Sequence, residues 1–146
     1  MHYTYLEAVD EDEVILVVPA FPEIVCAIKT DDQRLGRVPA IAYDAVKNAL
    51  QARITYNDEI PVSAGDAVPG KRVQLAPLDI LKLSLYGEFR KNKSTRAEFA
   101  KLVAATPTTL SRAFDLYHAS RYEVISEMLA RLGLEVRTEI KVAKIK

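Results

Sequence analysis

The chain has 146 residues, 49% of them apolar and 27% charged, a balance typical of a soluble globular protein. No apolar run approaches the roughly 18 residues that a membrane helix needs, and the first residues lack the basic and then apolar order of a secretory leader. Cys26 is the single cysteine, so no internal disulfide can form. We therefore expect a cytoplasmic protein without a membrane segment.

The net charge of zero hides an uneven distribution. Residues 1–60 hold 11 acidic and 5 basic side chains, a net charge of −6, whereas residues 61–146 hold 9 acidic and 15 basic ones, a net charge of +6. An acidic half attracts a basic partner, and a basic half attracts a polyanion such as nucleic acid. A chance division of solvated charges would give the same counts, so the predicted secondary structure and motifs must distinguish a functional charge distribution from a chance one.

The first 60 residues predict a small sheet covered by one helix. Three runs rich in β-forming or apolar residues predict strands, at 2–9, 14–18 and 24–28. The four acidic residues 10–13 predict an exposed turn, and residues 20–23 predict a second turn. A loop over 30–38 leads to Pro39, which is expected to be the first residue of a helix that reaches about Ile54.

The next segment predicts a boundary between two domains. Residues 57–71 contain two prolines and two glycines with few large apolar side chains, which indicates a linker. A short strand at 72–75 is expected to join the first domain, residues 1–60. The second domain, residues 77–146, is predicted to be helical until its last residues.

Within the second domain, leucine spacing predicts a helix over 78–91. Ser120 and Glu123 match a capping box that would open the last helix, and Gly133 would end it in a left-handed conformation. Residues 134–142 alternate and predict a closing strand. That strand either pairs between subunits, because a lone edge strand needs a partner, or returns to the helices of its own chain.

Residues 95–114 predict a helix-turn-helix, the motif whose second helix enters the DNA major groove. Thr95 and Glu98 match a capping box, and Thr106 followed by proline predicts the start of the second helix. The turn is only Ala104-Ala105, where many such motifs have glycine first, since a left-handed backbone costs alanine roughly 1 kcal/mol. The residues predicted to face the core are Phe99, Ala100, Val103, Leu110 and Phe114.

The second helix and the helix starts provide the predicted DNA contacts. These are Thr95, Arg96, Thr106, Pro107, Thr108, Ser111 and Arg112. Arg112 has the chemistry to bond guanine bidentately or to bind a phosphate. One such unit contacts few phosphates, so we expect a homodimer or higher oligomer that presents two units to operator DNA. The alternative is a helical hairpin that packs against a partner protein.

No pattern predicts catalysis, a cofactor or a metal. The chain lacks a glycine-rich phosphate loop, a Cys/His cluster with metal spacing and a Ser/His/Asp grouping. Cys26 is expected to be a core residue, and His118 to serve a turn or a helix end. Consecutive acids in a hairpin turn converge poorly on one ion, so residues 10–13 predict a solvated turn.

The order of elements and several local strings resemble the HicB antitoxins of bacterial toxin–antitoxin systems. These strings are Val18-Pro19-Ala20-Phe21-Pro22-Glu23, Asp58-Glu59-Ile60-Pro61, Leu75-Ala76-Pro77-Leu78 and Phe114-Asp115-Leu116-Tyr117-His118-Ala119-Ser120. The resemblance spans nearly the whole chain. It implies an α+β fold: a partial ribonuclease-H-like β-β-β-α-β domain without nuclease activity, then a helical helix-turn-helix domain with a C-terminal strand. The helix at 39–54, a turn shorter than in the family, and the loop at 31–38 depart from the pattern.

The resemblance also implies two partners. A HicA-type toxin, a small basic protein that cleaves mRNA, would be covered by the N-terminal domain, and the C-terminal domain would repress the shared operon. The predicted toxin contacts are Asp10, Glu11, Asp12, Glu13, Phe21, Glu23 and Asp44. The alternative for each is plain surface or, for Phe21, core packing. The alternative functions are a one-component transcription regulator that senses a small molecule and, on fold analogy alone, an RNA-processing enzyme.

Overall fold

The computed structural model describes residues 1–65 and 68–145, which form a mixed α+β fold with one four-stranded sheet and five α-helices. The elements are β1 His2–Asp10, β2 Glu13–Val18, β3 Phe21–Lys29, α1 Val38–Thr55, β4 Lys71–Gln74, α2 Pro77–Asn92, α3 Arg96–Leu102, α4 Pro107–Ala113 and α5 Tyr122–Arg131. A 3₁₀ helix, Gln33–Arg37, lies within the predicted loop and leads into α1. The more specific ribonuclease-H-like arrangement remains a prediction.

The sheet is antiparallel, with the strand order β3-β2-β1-β4. Its first turn lies where the acidic run predicted it, because Asp10 pairs with Glu13 across the hairpin. The second turn was predicted at residues 20–23 and lies earlier, since Val18 already pairs with Phe21. Phe21 enters the strand because its ring fills the core. Pro22 is tolerated there because β3 is an edge strand, where a missing N–H breaks no ladder bond.

Helix α1 covers one face of the sheet. Its buried side chains recur every four residues, as a helix that packs along one stripe requires. They are Val38, Ala42, Val46, Leu50 and Ile54. Opposite this stripe, the buried rings of Tyr3 and Phe21 meet edge to face with their centroids 5.0 Å apart.

The predicted linker, residues 57–71, includes residues 66 and 67, which lie outside the described residues, as does residue 146 of the second predicted domain. Part of this segment is bound to the start of β1. The Ser63 hydroxyl donates to the His2 carbonyl at 2.8 Å, and the Tyr3 hydroxyl donates to the Pro61 carbonyl at 2.9 Å. One apolar cluster continues from the sheet and α1 into the helices of the second half. The division into two domains stays a prediction.

The second half is built around α2. The rings of Tyr86 and Phe89 on this helix pack against those of Phe99 and Phe114, with centroids between 5.3 and 5.5 Å apart for three of these pairs. Helix α5 lies on α2 and ends at Arg131, two residues before Gly133, whose φ of +79° is the predicted left-handed conformation. No helix among the described residues has the length and apolar character needed to cross a membrane.

Two predictions for this half were wrong. The residue that caps α5 is Arg121, without a side-chain cap, because the Ser120 hydroxyl instead contacts the His118 ring at 3.0 Å. The predicted closing strand is absent: residues 134–145 contain neither helix nor strand. A strand is defined by ladder bonds to a neighbour, and within the described part of this chain that segment has none.

Candidate nucleic-acid and partner interfaces

Helices α3 and α4 form a tightly connected pair. The Thr95 hydroxyl accepts from the Glu98 amide and the Glu98 carboxylate accepts from the Thr95 amide, both at 3.2 Å, which confirms the predicted capping box. The Thr106 hydroxyl caps α4 by accepting from the Thr109 amide at 3.1 Å. Between them, Ala104 has a φ of +55°, the left-handed conformation expected at this position.

The inner side of this pair is the one predicted from the sequence. All five of the residues expected to face the core are buried, namely Phe99, Ala100, Val103, Leu110 and Phe114. The small side chain of Ala100 lets the turn close over it. The Ala100 carbonyl accepts from the Ala105 amide at 2.8 Å. The aromatic cluster on α2 therefore fixes which side of α4 is turned outward.

The opposite side of α4 is solvent-exposed. Thr108, Ser111 and Arg112 are exposed and are spaced three and four residues apart, so they lie on one face of the helix. We call these three residues the outer face of α4. The other predicted contacts Thr95, Thr106 and Pro107 are also exposed, at the starts of α3 and α4. Hydroxyl and guanidinium groups arranged in this way suit hydrogen bonds to base edges and phosphates.

Arg96 is the exception among the predicted DNA contacts. Its guanidinium donates to the Ile54 carbonyl at 2.6 Å and to Asn57 Oδ1 at 3.0 Å. It also lies over the Phe114 ring, 5.2 Å from the centroid. The charge of this half-buried side chain therefore joins the end of α1 to α3, whereas the other six predicted residues are exposed.

A second arginine beside α4 was missed by the sequence analysis. Arg121 and Arg112 line the same surface cleft of about 320 Å³, together with Thr109, His118 and Ser120. The capping box predicted at Ser120 would have made Arg121 the first residue of the helix. The available signal was a basic residue directly before the helix that follows α4.

The C-terminal end of α4 is held by a buried lysine. Lys82 on α2 has no exposed surface, and its ammonium donates to the carbonyls of Asp115 and His118 at 2.6 Å and of Arg112 at 3.2 Å. Burial lowers the pKa of Lys82, and the carboxylates of Asp115 and Asp79 oppose that shift. A cation at this position adds a charged donor to three carbonyls at the end of α4 and in the following loop, each of which also accepts from a backbone amide.

The polar side of α1 also contacts the second half. We call Tyr43, Lys47, Asn48 and Gln51 the α1 seam. The Tyr43 hydroxyl donates to the buried Asp79 carboxylate at 3.0 Å, and Lys47 Nζ lies 3.5 Å from the same carboxylate. The Gln51 side chain accepts from the Leu116 amide at 2.7 Å and donates to the Phe114 carbonyl at 3.2 Å.

Tyr117 completes this contact. Its hydroxyl bonds Asn48, and its ring lies beneath Lys47 Nζ, which is 4.9 Å from the centroid. Burial raises the pKa of the Tyr117 hydroxyl, with nearby carboxylates adding to the shift. The loop after α4 is thus bonded both to α2, through Lys82, and to α1. Sequence reasoning did not predict these contacts, because they join residues more than 30 positions apart.

The acidic turn of the first half is largely exposed. Asp10, Glu11 and Asp12 are exposed and Glu13 is half-buried. Glu11 has a φ of +50°, and the Asp12 carbonyl accepts from the Thr30 amide at 2.7 Å, which fixes the turn against the end of β3. No group of three or more His, Cys, Asp or Glu side chains in the described ranges is arranged to hold a metal ion.

The remaining predicted toxin contacts differ in accessibility. Asp44 is exposed on α1, and Glu23 is exposed on β3, where it pairs with Arg53 at 2.9 Å. Phe21, in contrast, has no exposed surface. Its ring lies between Tyr3 and Arg53, so the structure favours core packing over a surface contact for Phe21.

No family model matches the chain. Among curated proteins, it is similar to Antitoxin HicB 1 of Photorhabdus laumondii subsp. laumondii, with 23% identity over 137 residues. The aligned region covers 93% of this chain and 84% of that protein. The similarity therefore includes the sheet, α1 and the helices that follow, and it supports an antitoxin role.

Proposed function

We propose that this chain is an antitoxin that neutralises a small mRNA-cleaving toxin of the HicA type and represses its own operon. The observation that carries this proposal is the similarity, over 93% of the chain, to a protein named Antitoxin HicB 1. A one-component regulator would be expected to resemble such a protein in the DNA-binding half, but not in the sheet and α1.

Operator binding is assigned to α3 and α4. The outer face of α4 would enter the major groove, where Arg112 bonds guanine or a phosphate and Thr108 and Ser111 contact base edges or the backbone. Arg121, which shares a cleft with Arg112, would add a phosphate contact. A homodimer or higher oligomer would place two copies of α4 on the operator.

Toxin binding is assigned to the first half. The acidic turn Asp10–Glu13 would attract a basic toxin, with Glu23 and Asp44 as further exposed carboxylates. Opposite charges at such a surface mainly raise the association rate and select the partner. We therefore expect the turn to determine how fast the toxin is captured, while apolar contacts determine how long it stays bound.

Co-expression tests this function. A small basic protein encoded next to this chain should arrest growth when expressed alone, and co-expression of this chain should restore growth. Replacing Asp10, Glu11, Asp12 and Glu13 by their amides should reduce the rescue and slow association of the purified proteins, more so at low salt. The matched control is Glu123→Gln with Glu127→Gln, two exposed carboxylates on α5.

The outcome that contradicts the proposal is continued arrest with the unmodified chain present at levels equal to the toxin. If growth is rescued equally by the amide variant and the control, the antitoxin role stands and the acidic turn is not the contact. Binding of the upstream DNA without rescue would favour the one-component regulator.

A further inference from the structure

The face of the sheet opposite α1 is made of aliphatic side chains. The strand register places two rows of them across β1, β2 and β3, because Leu6 pairs with Val17 and Ala8 with Ile15. Val17 and Ile15 pair in turn with Val25 and Ala27 of β3. We call this set the open sheet face: Leu6, Ala8, Ile15, Val17, Val25 and Ala27. An antiparallel sheet with one face in water normally carries polar side chains on that face, so this composition is unusual.

The open sheet face is accessible to solvent. Val25 is 64% exposed and Leu6 is 39% exposed. Ala8 and Ala27 are also exposed, and Ile15 and Val17 are half-buried. Strand β2 has the sequence Glu-Val-Ile-Leu-Val-Val, which is apolar on both faces, as in a strand that is buried on both sides. Helix α1 buries one of those faces, so β2 has the pattern of a strand that needs a second layer on the other.

The acidic turn forms one edge of this face. The row that follows Ala8, Ile15 and Ala27 consists of Asp10, Glu13 and Lys29. At the other end of the sheet, Thr4 is buried and Gly70 lies against its side chain. The chain therefore closes one end of the aliphatic rows itself, and the other end continues directly into the four carboxylates of the turn.

The charge of this region selects the kind of molecule that would cover it. An apolar centre beside a charged rim is the anatomy of a protein interface, and exposed apolar patches commonly mark such surfaces. Residues 1–60 have a net charge of −6. A second copy of this half would bring the same negative charge to the contact, whereas a basic protein would bring the opposite one. The charges therefore favour a basic protein over a second copy.

We propose that the open sheet face is the docking surface for a small basic protein, whose apolar side chains cover the aliphatic rows while its cations meet the acidic turn. That this protein is the toxin rests on the proposed function. The two parts of the surface act on different rates. The charged edge accelerates encounter, and the apolar contact, which excludes water once formed, sets the dissociation rate.

A pair of valine substitutions on opposite faces of the sheet tests this surface in the full chain. The probe is the small basic protein encoded next to this chain. Val25→Gln should speed its dissociation by roughly tenfold, because a polar amide then lies in the apolar contact. Val9→Gln is the matched control, since Val9 is 76% exposed on β1 but lies in register with the buried Val14, on the face that α1 covers. It should change the dissociation rate by less than about twofold.

Two further measurements separate docking from indirect effects. The association rates and the melting temperatures of the two glutamine variants should coincide, whereas neutralising the acidic turn should slow association alone. In the full chain with labelled methyl groups, adding the unlabelled basic protein should shift the nuclear magnetic resonance signals of Ile15, Val17 and Val25. The signals of Val9 should stay in place.

The outcomes distinguish this surface from the function on which it rests. If the unmodified chain neither binds the basic protein nor relieves its growth arrest, the proposed function is wrong and the docking proposal is wrong with it. If the unmodified chain binds and rescues growth but Val25→Gln dissociates no faster than Val9→Gln, the docking surface alone is wrong. If Val25→Gln instead lowers the mass of the isolated chain in sedimentation equilibrium, a second copy covers this face and the proposal is overturned.

Discussion

The two sides of α4 are built for opposite purposes. On its inner side and at its end, side chains and carbonyls are fixed: Leu110 is buried, and Lys82 holds the carbonyl of Arg112. On its outer face, Thr108, Ser111 and the Arg112 side chain are exposed. Arg112 belongs to both sides, because its backbone carbonyl is bonded by Lys82 and its side chain is exposed on the outer face. If the outer face binds DNA as proposed, stability and recognition depend on different atoms of α4, so substitutions should separate them.

The largest expected effect is a loss of stability when the buried lysine that bonds the end of α4 is replaced. Lys82→Met removes the charged donor from three carbonyls, which keep only their backbone amide donors. Hydrogen bonds from a charged group contribute roughly 1.5–3 kcal/mol each, and removing a buried cation recovers part of its desolvation cost, so we expect a loss of about 2–4 kcal/mol in the free energy of unfolding. Urea denaturation measures it.

Lys91→Met is the control for this change, because Lys91 is an exposed lysine of the same helix that pairs with Glu88 at the surface. It should alter the free energy of unfolding by less than about 0.5 kcal/mol. If both variants lose the same stability, the buried ammonium is not what holds the end of α4, and the distinction between its two sides fails.

A substitution on the outer face of α4 should change DNA binding and leave stability unchanged. Arg112→Ala is expected to weaken binding to a duplex from the region upstream of its own gene by about 1–3 kcal/mol if the side chain reads a base, with the melting temperature unchanged. Lys29→Ala, an exposed cation at the end of β3, is the control. Unchanged affinity and sequence preference would remove Arg112 from the recognition surface.

The smallest effect is expected at the turn between α3 and α4, where the substitution should stabilise the protein instead of destabilising it. Ala104→Gly relieves the left-handed strain at a φ of +55° and should raise the free energy of unfolding by about 0.5–1 kcal/mol. Ala97→Gly, at an exposed position inside α3, should lower it by a similar amount because glycine weakens helix interiors. A destabilising Ala104→Gly would mean that the turn tolerates alanine without strain.

The features predictable from the sequence are those set by neighbouring residues. The caps at Thr95 and Thr106, the left-handed Ala104 and the end at Gly133 each follow from the local needs of a helix terminus. The cap at Ser120 was predicted by the same rule and is absent, because its hydroxyl is taken by His118. Local rules hold only where no distant or neighbouring group competes for the same atom.

The features that were missed depend on contacts between distant segments. Lys82 and Asp79 have no sequence pattern that marks them as buried, since charged residues of a helix normally face water. The α1 seam likewise has an ordinary polar pattern that gives no sign of its partner. The predicted strand at 134–142 is not formed for a related reason, because a ladder needs a second strand and the described residues place none beside this segment.

The contact from Lys82 to three carbonyls has a consequence for how this protein can diverge. A donor that bonds the backbone carbonyl of Arg112 places no demand on the side chain at that position. The exposed side chains at 108, 111 and 112 are therefore free to be exchanged while the helix stays in place. If the outer face of α4 binds DNA as proposed, paralogues with the same scaffold would be able to acquire different DNA sequences as targets without first being stabilised by other substitutions.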